Sequence, residues 1–415
     1  MSQPVPSSVI IVGGGLAGAK TAEALRAEGY TGPVTLISSE HELPYERPPL
    51  SKGYLAGESE FEKALVHPER WYADNDVRLL LGQNVTGIDR AAKTVTLSDV
   101  SEEEYGALVL ATGSEPRRLP LPGAEAQGVL TLRTRADSQA LRARFGEGRT
   151  LASIGGGWIG LEAAAAARNA GTNVTVIEAA ALPLAQILGE TVATVFADLH
   201  REHGVDLRLG VKPAEILTAH GRASGVRLED GAEIGADTVL LGIGAAPRTI
   251  LAEHAGLAVD SEGKAGGGVL VDASLRTSDP SIWAVGDIAN AEHPVLGGRI
   301  RVEHWATALK QPATAAAAIL GKPAGYDELP YFFSDQYDLG MEYVGHTDPS
   351  ATVVVRGSLA DREFVAFWLD SENRLMAAMN VNVWDVPDVV KPLIRSRRIL
   401  DPDRLADASV PLPEL

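Results

Sequence analysis

Two short apolar runs with similar surroundings organise the first 180 residues of the chain. Residues 9–12 (VIIV) and 151–154 (LASI) are apolar or small, and each run predicts a buried β-strand. Each leads into a glycine-rich turn and an alanine-rich stretch that predicts a helix. A further apolar run follows each helix, at residues 34–38 and 173–177. The pattern predicts two strand–turn–helix–strand units of the α/β class.

Both turns have the spacing G-x-G-x-x-G. In such a turn the first glycine permits a tight bend, the second lets the backbone approach a pyrophosphate, and the third lets the helix pack closely on the strand. The N–H groups and the dipole of the following helix favour a phosphate. The glycines are Gly13, Gly15 and Gly18 in the first turn and Gly155, Gly157 and Gly160 in the second. Two such turns in the same context predict two dinucleotide sites.

An acidic residue follows the second strand of each unit. Glu40 and Glu178 stand about 20 residues beyond the last glycine of their turns, where an acid accepts hydrogen bonds from a ribose. Glu178 would also repel a 2′-phosphate, and residues 179–188 contain no Lys or Arg to neutralise one. The second site is therefore predicted to prefer NADH to NADPH.

The pattern changes after a linker at residues 321–330. Strand-like runs ending in glycine turns stand before it, at residues 108–113, 239–247 and 277–287. Four short strands of a meander and one helix are predicted after it. They are residues 339–346, 352–357, 363–369 and 374–381 for the strands and 386–398 for the helix. This segment is predicted to be a separate α+β domain.

The amino-acid composition excludes several kinds of chemistry. The chain of 415 residues has no cysteine, which excludes thiol redox chemistry, disulfides, Cys-ligated zinc and an intrinsic iron–sulfur cluster; no metal site is predicted. Its formal net charge of −18 argues against nucleic-acid binding. We see no signal peptide and no apolar run near the roughly 18 residues of a membrane span. The expectation is a soluble, cytoplasmic protein that does not bind membranes.

Several motifs together resemble one family. They are PYERPPLSK at 44–52, GGGWIGLE at 155–162, VGDIA at 285–289 and SDQYD at 334–338. With the two glycine turns, they are similar to the NADH-dependent ferredoxin reductases of the two-dinucleotide-binding flavoproteins, of the putidaredoxin reductase and biphenyl-dioxygenase ferredoxin reductase type. The resemblance implies two Rossmann-like domains and a C-terminal α+β domain. It places an FAD domain at residues 1–113 and 245–322, an NAD domain at 114–244 and the C-terminal domain at 323–415.

The resemblance also implies site residues. Those expected at FAD are Gly13, Gly15, Leu16, Ala17, Gly18, Ser39, Glu40, Arg47, Pro48, Lys52, Val85, Ala111, Thr112, Gly113, Arg133, Gly286, Asp287, Glu303, His304 and Trp305. Those expected at NAD are Gly155, Gly157, Trp158, Ile159, Gly160, Glu162, Glu178, Gly242, Ile243 and Gly244. By the same resemblance, Lys52 lies near flavin N5, pairs with Glu162 and forms the catalytic pair with it.

Three of these assignments have structural alternatives. Asp287 could cap a helix, either instead of contacting FAD or in addition to it. Trp305 could be a core residue instead of bordering the flavin ring. The Lys52–Glu162 pair could be a purely structural ion pair. Phe333 departs from the family, in which Trp is common at this position, so its place on an electron exit path is open.

The function implied by the resemblance is electron transfer. A hydride passes from NADH to FAD, and single electrons then pass to a separate, acidic 2Fe–2S ferredoxin that serves a cytochrome P450 or a ring-hydroxylating dioxygenase. One alternative enzyme is an NADH oxidase or rubredoxin-type reductase. An alternative of another class is a redox-sensing interaction protein resembling apoptosis-inducing factor.

Overall fold

The structure is a computed structural model that describes residues 5–263 and 266–415. The chain divides into two compact units, each assembled from three segments. The first unit comprises the described residues up to Arg47, Phe61–Glu115 and Ala246–Pro330. The second comprises Pro48–Glu60, Pro116–Ala245 and Tyr331–Leu415.

The part of the chain up to residue 116 contains both predicted strands of the first repeat. Its elements are β1 (Val9–Val12), α1 (Leu16–Ala27), β2 (Val34–Ser38), α2 (Gly53–Ala56), α3 (Glu69–Asp74), β3 (Val77–Leu81), β4 (Val85–Asp89), β5 (Thr94–Leu97), β6 (Glu102–Glu104), β7 (Ala107–Leu110) and β8 (Ser114–Pro116). Every residue of β1 and β2 is buried, as their continuous apolar pattern predicts.

The next part of the chain contains the second repeat. Its elements are β9 (Val129–Leu130), α4 (Arg135–Arg142), β10 (Thr150–Ile154), α5 (Trp158–Asn169), β11 (Asn173–Glu178), α6 (Ala185–Glu202), β12 (Asp206–Leu209), β13 (Pro213–Ala219), β14 (Arg222–Leu228), β15 (Glu233–Gly235), β16 (Thr238–Leu241) and β17 (Ala245–Pro247). Helix α5 begins at Trp158, directly after Gly157 of the second glycine turn, so a helix follows this strand as predicted.

The remaining elements complete the two units. Up to residue 330 they are α7 (Ile250–His254), β18 (Val269–Val271), β19 (Ile282–Ala284), β20 (Ala289–Glu292), β21 (Arg299–Ile300) and α8 (Trp305–Ile319). After residue 330 they are β22 (Tyr331–Gln336), β23 (Leu339–Gly345), β24 (Thr352–Ser358), β25 (Glu363–Leu369), β26 (Leu375–Val381), α9 (Pro387–Ser396) and α10 (Pro402–Ala406).

The first unit is built on a five-stranded parallel sheet with the order β19-β7-β1-β2-β3. Val9 of the central strand pairs with Val34 on one side and Ala107 on the other. The first glycine turn follows β1, so it lies at the carboxyl end of the sheet. This is the edge at which parallel α/β sheets bind ligands.

The second unit contains a parallel sheet and two antiparallel sheets. The parallel sheet has the order β12-β11-β10-β16-β9, with the second glycine turn after β10. The smaller antiparallel sheet has the order β13-β14-β15, and the larger, C-terminal antiparallel sheet has the order β22-β23-β26-β25-β24. Leu161 of α5 and Leu188 of α6 share one apolar core with Met341 and Trp368 of the larger antiparallel sheet. The C-terminal sheet is therefore packed directly on the helices of the second repeat.

The C-terminal sheet corrects one prediction. The four predicted strands are present, but they do not form a simple meander, because β23 pairs with β26 instead of β24. An additional strand, β22, was not predicted and forms a hairpin with β23. The apolar pattern specifies which residues face the core, whereas the order of the strands depends on pairing between distant segments.

The described part of the chain has no helix that is both long and apolar enough to span a membrane.

Candidate nucleotide sites and the charged pair

The first glycine turn separates glycines that the fold requires from one that it does not. A methyl group on Gly13, whose φ is +125°, would lie 2.1 Å from the Ala111 carbonyl oxygen. One on Gly18 would lie 1.9 Å from the Gly13 carbonyl oxygen. A methyl group on Gly15 would meet no heavy atom within 4 Å. Since packing does not demand glycine at Gly15, its small size is suited to the close approach of a ligand.

The second turn repeats this arrangement. Gly155 has a φ of +104°, and a methyl group there would lie 2.4 Å from the Gly242 carbonyl oxygen. At Gly160 the group would lie 2.2 Å from the Gly155 oxygen, whereas at Gly157 the nearest atom would be 3.8 Å away. Both turns therefore leave room for a side chain at the position that faces a pyrophosphate in dinucleotide folds. The residues present fit two dinucleotides.

Glu40, beyond the end of β2, is held by two neighbours. Arg47 Nη2 lies 2.5 Å from Glu40 Oε1, and the Tyr45 hydroxyl donates to Glu40 Oε2 at 2.5 Å. The Arg47 guanidinium lies over the Tyr45 ring, 4.5 Å from its centre. Burial raises the pKa of Glu40, but the hydrogen bond and charge of Arg47 outweigh burial and hold that pKa below its ordinary value. Glu40 is thus a carboxylate that can accept from a ribose hydroxyl, and Ser39 beside it is exposed.

Asp287 lies in a short 3-10 turn. Ser114 donates to Asp287 Oδ2 at 2.6 Å, and Arg301 donates to the Asp287 carbonyl at 3.1 Å. The Gly286 N–H donates to Gln311 of α8 at 2.7 Å. Strand β20 follows this turn. The alternative prediction that Asp287 caps a helix is therefore wrong.

The other residues predicted at FAD divide between the two units. Trp305 is the first residue of α8; its indole N–H donates to Glu46 at 2.9 Å, and its ring is half-buried. This position differs from that of a fully buried core tryptophan. The further members of the first unit are Leu16 and Ala17 at the start of α1, Val85 at the start of β4, Ala111, Thr112 and Gly113 after β7, and Glu303 and His304 before α8. Pro48, Lys52 and Arg133 belong to the second unit.

Glu178 holds the second glycine turn. Its Oε2 accepts from the Gly156 N–H at 2.7 Å, and its Oε1 accepts from the Ala180 N–H at 2.8 Å. These two bonds fix a carboxylate beside the turn. Trp158 and Ile159 begin α5, and Trp158 packs edge-on against Phe196 and Phe332.

The last three residues predicted at NAD follow β16. Gly242 supplies the carbonyl that closes on Gly155, and Gly244 has a φ of +91°, which favours glycine. Ile243, between them, packs against the apolar core beside the parallel sheet of the second unit.

Lys52 and Glu162 form a charged pair inside the second unit. Lys52 Nζ lies 2.6 Å from Glu162 Oε1, with side-chain exposures of 15% and 3%. The pair has two neighbours that sequence reasoning missed: Ser51 donates to Oε2 at 2.5 Å and Ser334 donates to Oε1 at 2.7 Å. The Lys52 ammonium also lies 5.3 Å from the centre of the Phe333 ring. An acid this deeply buried needs such donors, because desolvating an unpaired carboxylate costs several kcal/mol.

The missed residues extend beyond Ser334. Gln336 Nε2 donates to Ser334 Oγ at 3.1 Å, and Gln336 Oε1 lies 2.9 Å from His200 Nε2. The SDQYD motif contains Ser334 and Gln336. From the sequence, this motif contributed only a family resemblance, and no role was predicted for either residue. Two polar residues spaced two apart in a buried strand face one side of it, and that spacing is the signal that could have found them.

Family comparisons cover most of the chain. The description "Pyridine nucleotide-disulphide oxidoreductase" matches residues 7–312, and "Reductase C-terminal" matches residues 331–415. The chain belongs to the pyridine nucleotide-disulphide oxidoreductase family.

Individual known proteins match nearly the full chain. The anthranilate 1,2-dioxygenase system ferredoxin–NAD(+) reductase component of Burkholderia cepacia is 41% identical over 403 residues, covering 97% of this chain and 98% of that protein. Putidaredoxin reductase of Pseudomonas putida is 38% identical over 413 residues, covering 98% and 96%. A crystal structure of the covalent putidaredoxin reductase–putidaredoxin complex matches with a TM-score of 0.94 at 37% identity, covering 99% and 98%.

These comparisons confirm the predicted family, the fold class and the prediction of an oxidoreductase. The individual site residues and the domain boundaries stay predictions.

His200 should make this oxidoreductase lose stability in acid. The imidazole is fully buried, and burial lowers the pKa of His200 to about 4. The unfolded chain binds a proton near pH 6.5. Stability that is fully present above pH 6.5 is therefore lost as the pH falls towards 4. His200→Gln should reduce the acid-dependent loss in unfolding free energy by about 2 kcal/mol between pH 7 and 4.5, measured by urea denaturation.

The matched control is His220→Gln, because His220 is exposed. The unfolding free energy of this variant should decrease as the pH is lowered, as that of the wild type does. Parallel curves for His200→Gln and the wild type would contradict the role given to His200.

Proposed function

We propose that the protein is an NADH-dependent ferredoxin reductase that passes electrons through FAD to a 2Fe–2S ferredoxin of a cytochrome P450 or ring-hydroxylating dioxygenase system. The observation that carries this proposal is full-length similarity to reductases whose names specify a ferredoxin or putidaredoxin. The sequence predicted this function and the cofactors FAD and NADH, and both predictions agree with the family.

The absence of cysteine defines the chemistry within the family. Relatives that reduce disulfides need a redox thiol, and this sequence has none. FAD supplies the acceptor for a hydride and the donor of single electrons, so the protein needs no nucleophile of its own. What remains for the chain is to bind two nucleotides, exclude water and control charge near the reacting ring.

The FAD site is proposed in the first unit, at the turn from Gly13 to Gly18. Glu40 would accept from the adenosine ribose, and the Gly15 backbone would contact the pyrophosphate. Asp287, positioned by Ser114, would contact the ribityl or pyrophosphate part of the cofactor. Helix α1 adds its N-terminal N–H groups.

Lys52 is proposed to stabilise negative charge on the reduced ring. An ammonium held by Glu162 offers a fixed positive charge without requiring a proton to move. This goes beyond a structural ion pair, because Lys52 is the more exposed partner while Glu162 is almost fully buried. The Lys52 ammonium is therefore the more accessible end of the pair.

The alternative functions have weaker support. An NADH oxidase or rubredoxin-type reductase would need the same nucleotide sites, so only the electron acceptor distinguishes it. A redox-sensing interaction protein resembling apoptosis-inducing factor would change assembly on binding NADH. The named relatives instead favour a ferredoxin as the acceptor. We propose the cytoplasm as the location, since the proposed reductant NADH is available there.

Anaerobic rapid mixing tests the function. The purified protein should be yellow with about one FAD per chain. NADH should bleach the flavin band, and an added 2Fe–2S ferredoxin should then be reduced, two molecules for each NADH. Gly15→Val is the control, because the fold has room for a side chain there while a pyrophosphate would clash with it. It should fold but remain colourless. A yellow wild-type protein that reduces oxygen as fast as it reduces any ferredoxin would contradict the proposal.

Coenzyme preference tests the role of Glu178. The wild type should favour NADH over NADPH by at least about tenfold in kcat/KM, equivalent to about 1.4 kcal/mol. Combining Glu178→Gln with Ala179→Arg should narrow this ratio, because it replaces a repelling charge with an attracting one. Steady-state kinetics with NADH and with NADPH give the ratio of the two kcat/KM values.

The matched control is Glu190→Gln, which removes an exposed acid from the nearby helix α6. The control should keep the wild-type ratio. Equal kcat/KM values for the two coenzymes in the wild type would rule out discrimination by Glu178.

A further inference from the structure

A line of buried polar side chains ends on Glu162. The residues are Ser334 and Gln336 of β22 and His200 of α6, which are 0%, 1% and 0% exposed. Glu162 itself lies on α5 and is 4% exposed. The line therefore joins both main helices of the second repeat to the first strand of the C-terminal sheet. Buried polar groups are costly unless each finds a partner, and here each does.

The direction of the hydrogen bonds is fixed by the two ends. Glu162 Oε1 accepts from the Lys52 ammonium and from the Ser334 hydroxyl, which uses the one proton of that hydroxyl. The Ser334 oxygen then accepts from Gln336 Nε2, which leaves Gln336 Oε1 to accept from His200 Nε2. Every donor in the line points towards the carboxylate.

The far end of the line is consistent with this direction. Burial keeps the pKa of His200 near 4, so the ring is neutral at pH 7 and carries a single proton. With that proton on Nε2, Nδ1 is an acceptor, and the Tyr337 hydroxyl lies 3.4 Å from it. Hydrogen bonds aligned in one direction polarise one another, which strengthens the last bond, from Ser334 to Glu162.

We propose that Ser334, Gln336 and His200 are positioning residues that hold the Glu162 carboxylate, and through it the Lys52 ammonium, in one place for the reaction. The strand alternation supports this, because Ser334 and Gln336 face inwards while Asp335 between them is exposed. The C-terminal domain thus supplies part of the support for the charged pair. The inference rests on the proposed function for the role it gives Lys52 in flavin reduction.

The first measurement gives the chemical reactivity of the Lys52 amine in the oxidised, NADH-free holoenzyme. Trace acetylation with acetic anhydride, followed by peptide mass spectrometry, gives the reactivity of Lys52 relative to the exposed Lys310. Ser334→Ala removes a hydrogen bond to a charged group, so Lys52 labelling should rise about tenfold. Gln336→Leu acts one bond further away, and labelling should rise about threefold.

The matched control is Asn380→Leu. Asn380 is a buried amide of the same sheet, 1% exposed, and it donates to Glu342 at 3.0 Å and to the Val383 carbonyl at 2.6 Å. Its loss should lower the Tm about as much as Gln336→Leu does, but leave Lys52 labelling at the wild-type value. This separates positioning from general loosening of the sheet.

The second measurement is the rate constant of flavin reduction at saturating NADH. It should fall in the same order, most for Ser334→Ala, less for Gln336→Leu and not at all for Asn380→Leu. Unchanged labelling in the first two variants would overturn the proposal, as would equal labelling in all three or changed labelling with an unchanged reduction rate. A wild-type protein that reduces no ferredoxin contradicts the proposed function, while the labelling still tests the hydrogen-bonded line.

Discussion

The second unit depends on finding partners for one buried acid, Glu162, whose side chain is only 3% exposed. Glu162 sits on an alanine-rich helix, where an unpaired charge would cost several kcal/mol. It is stabilised by donors from two other segments, Ser51 and Lys52 on one side and Ser334 on the other. These segments are distant in sequence, so Glu162 has all three donors only when residues 48–60, the second repeat and the C-terminal sheet are assembled together. Stability and the proposed charge control near the flavin thus share one interaction.

The two glycine turns have the same arrangement at the two proposed nucleotide sites. In each turn two glycines are needed because the backbone closes on itself, and one is small without any packing reason. Beside each turn stands a carboxylate with a fixed position, Glu40 held by Arg47 and Glu178 held by backbone N–H groups. Backbone geometry therefore shapes both turns, and a fixed carboxylate accompanies each of them.

Local features of the sequence predicted the strand, glycine turn, helix and second strand of each repeat, and the four strands from residue 339 onwards. The strands and helices of both repeats follow from apolar runs and glycine spacing, because both signals act over a few residues. The C-terminal strand order was wrong, since pairing β23 with β26 joins segments that the local pattern does not relate. For the same reason the line from His200 to Glu162 was missed: Ser334 and Glu162 are 172 residues apart. Lys52 and Glu162 were paired only through family resemblance, as no spacing rule connects them.

A double-mutant cycle on Lys52→Met and Glu162→Gln tests the central claim most directly. The unfolding free energy and the rate constant of flavin reduction by NADH are measured for the wild type, both single variants and the double variant. We expect each single variant to lose about 3 kcal/mol of stability and to reduce flavin more slowly, with the double variant little worse than Lys52→Met alone. Losses that simply add, in stability and in rate, would show that the two charges act independently and would contradict the account.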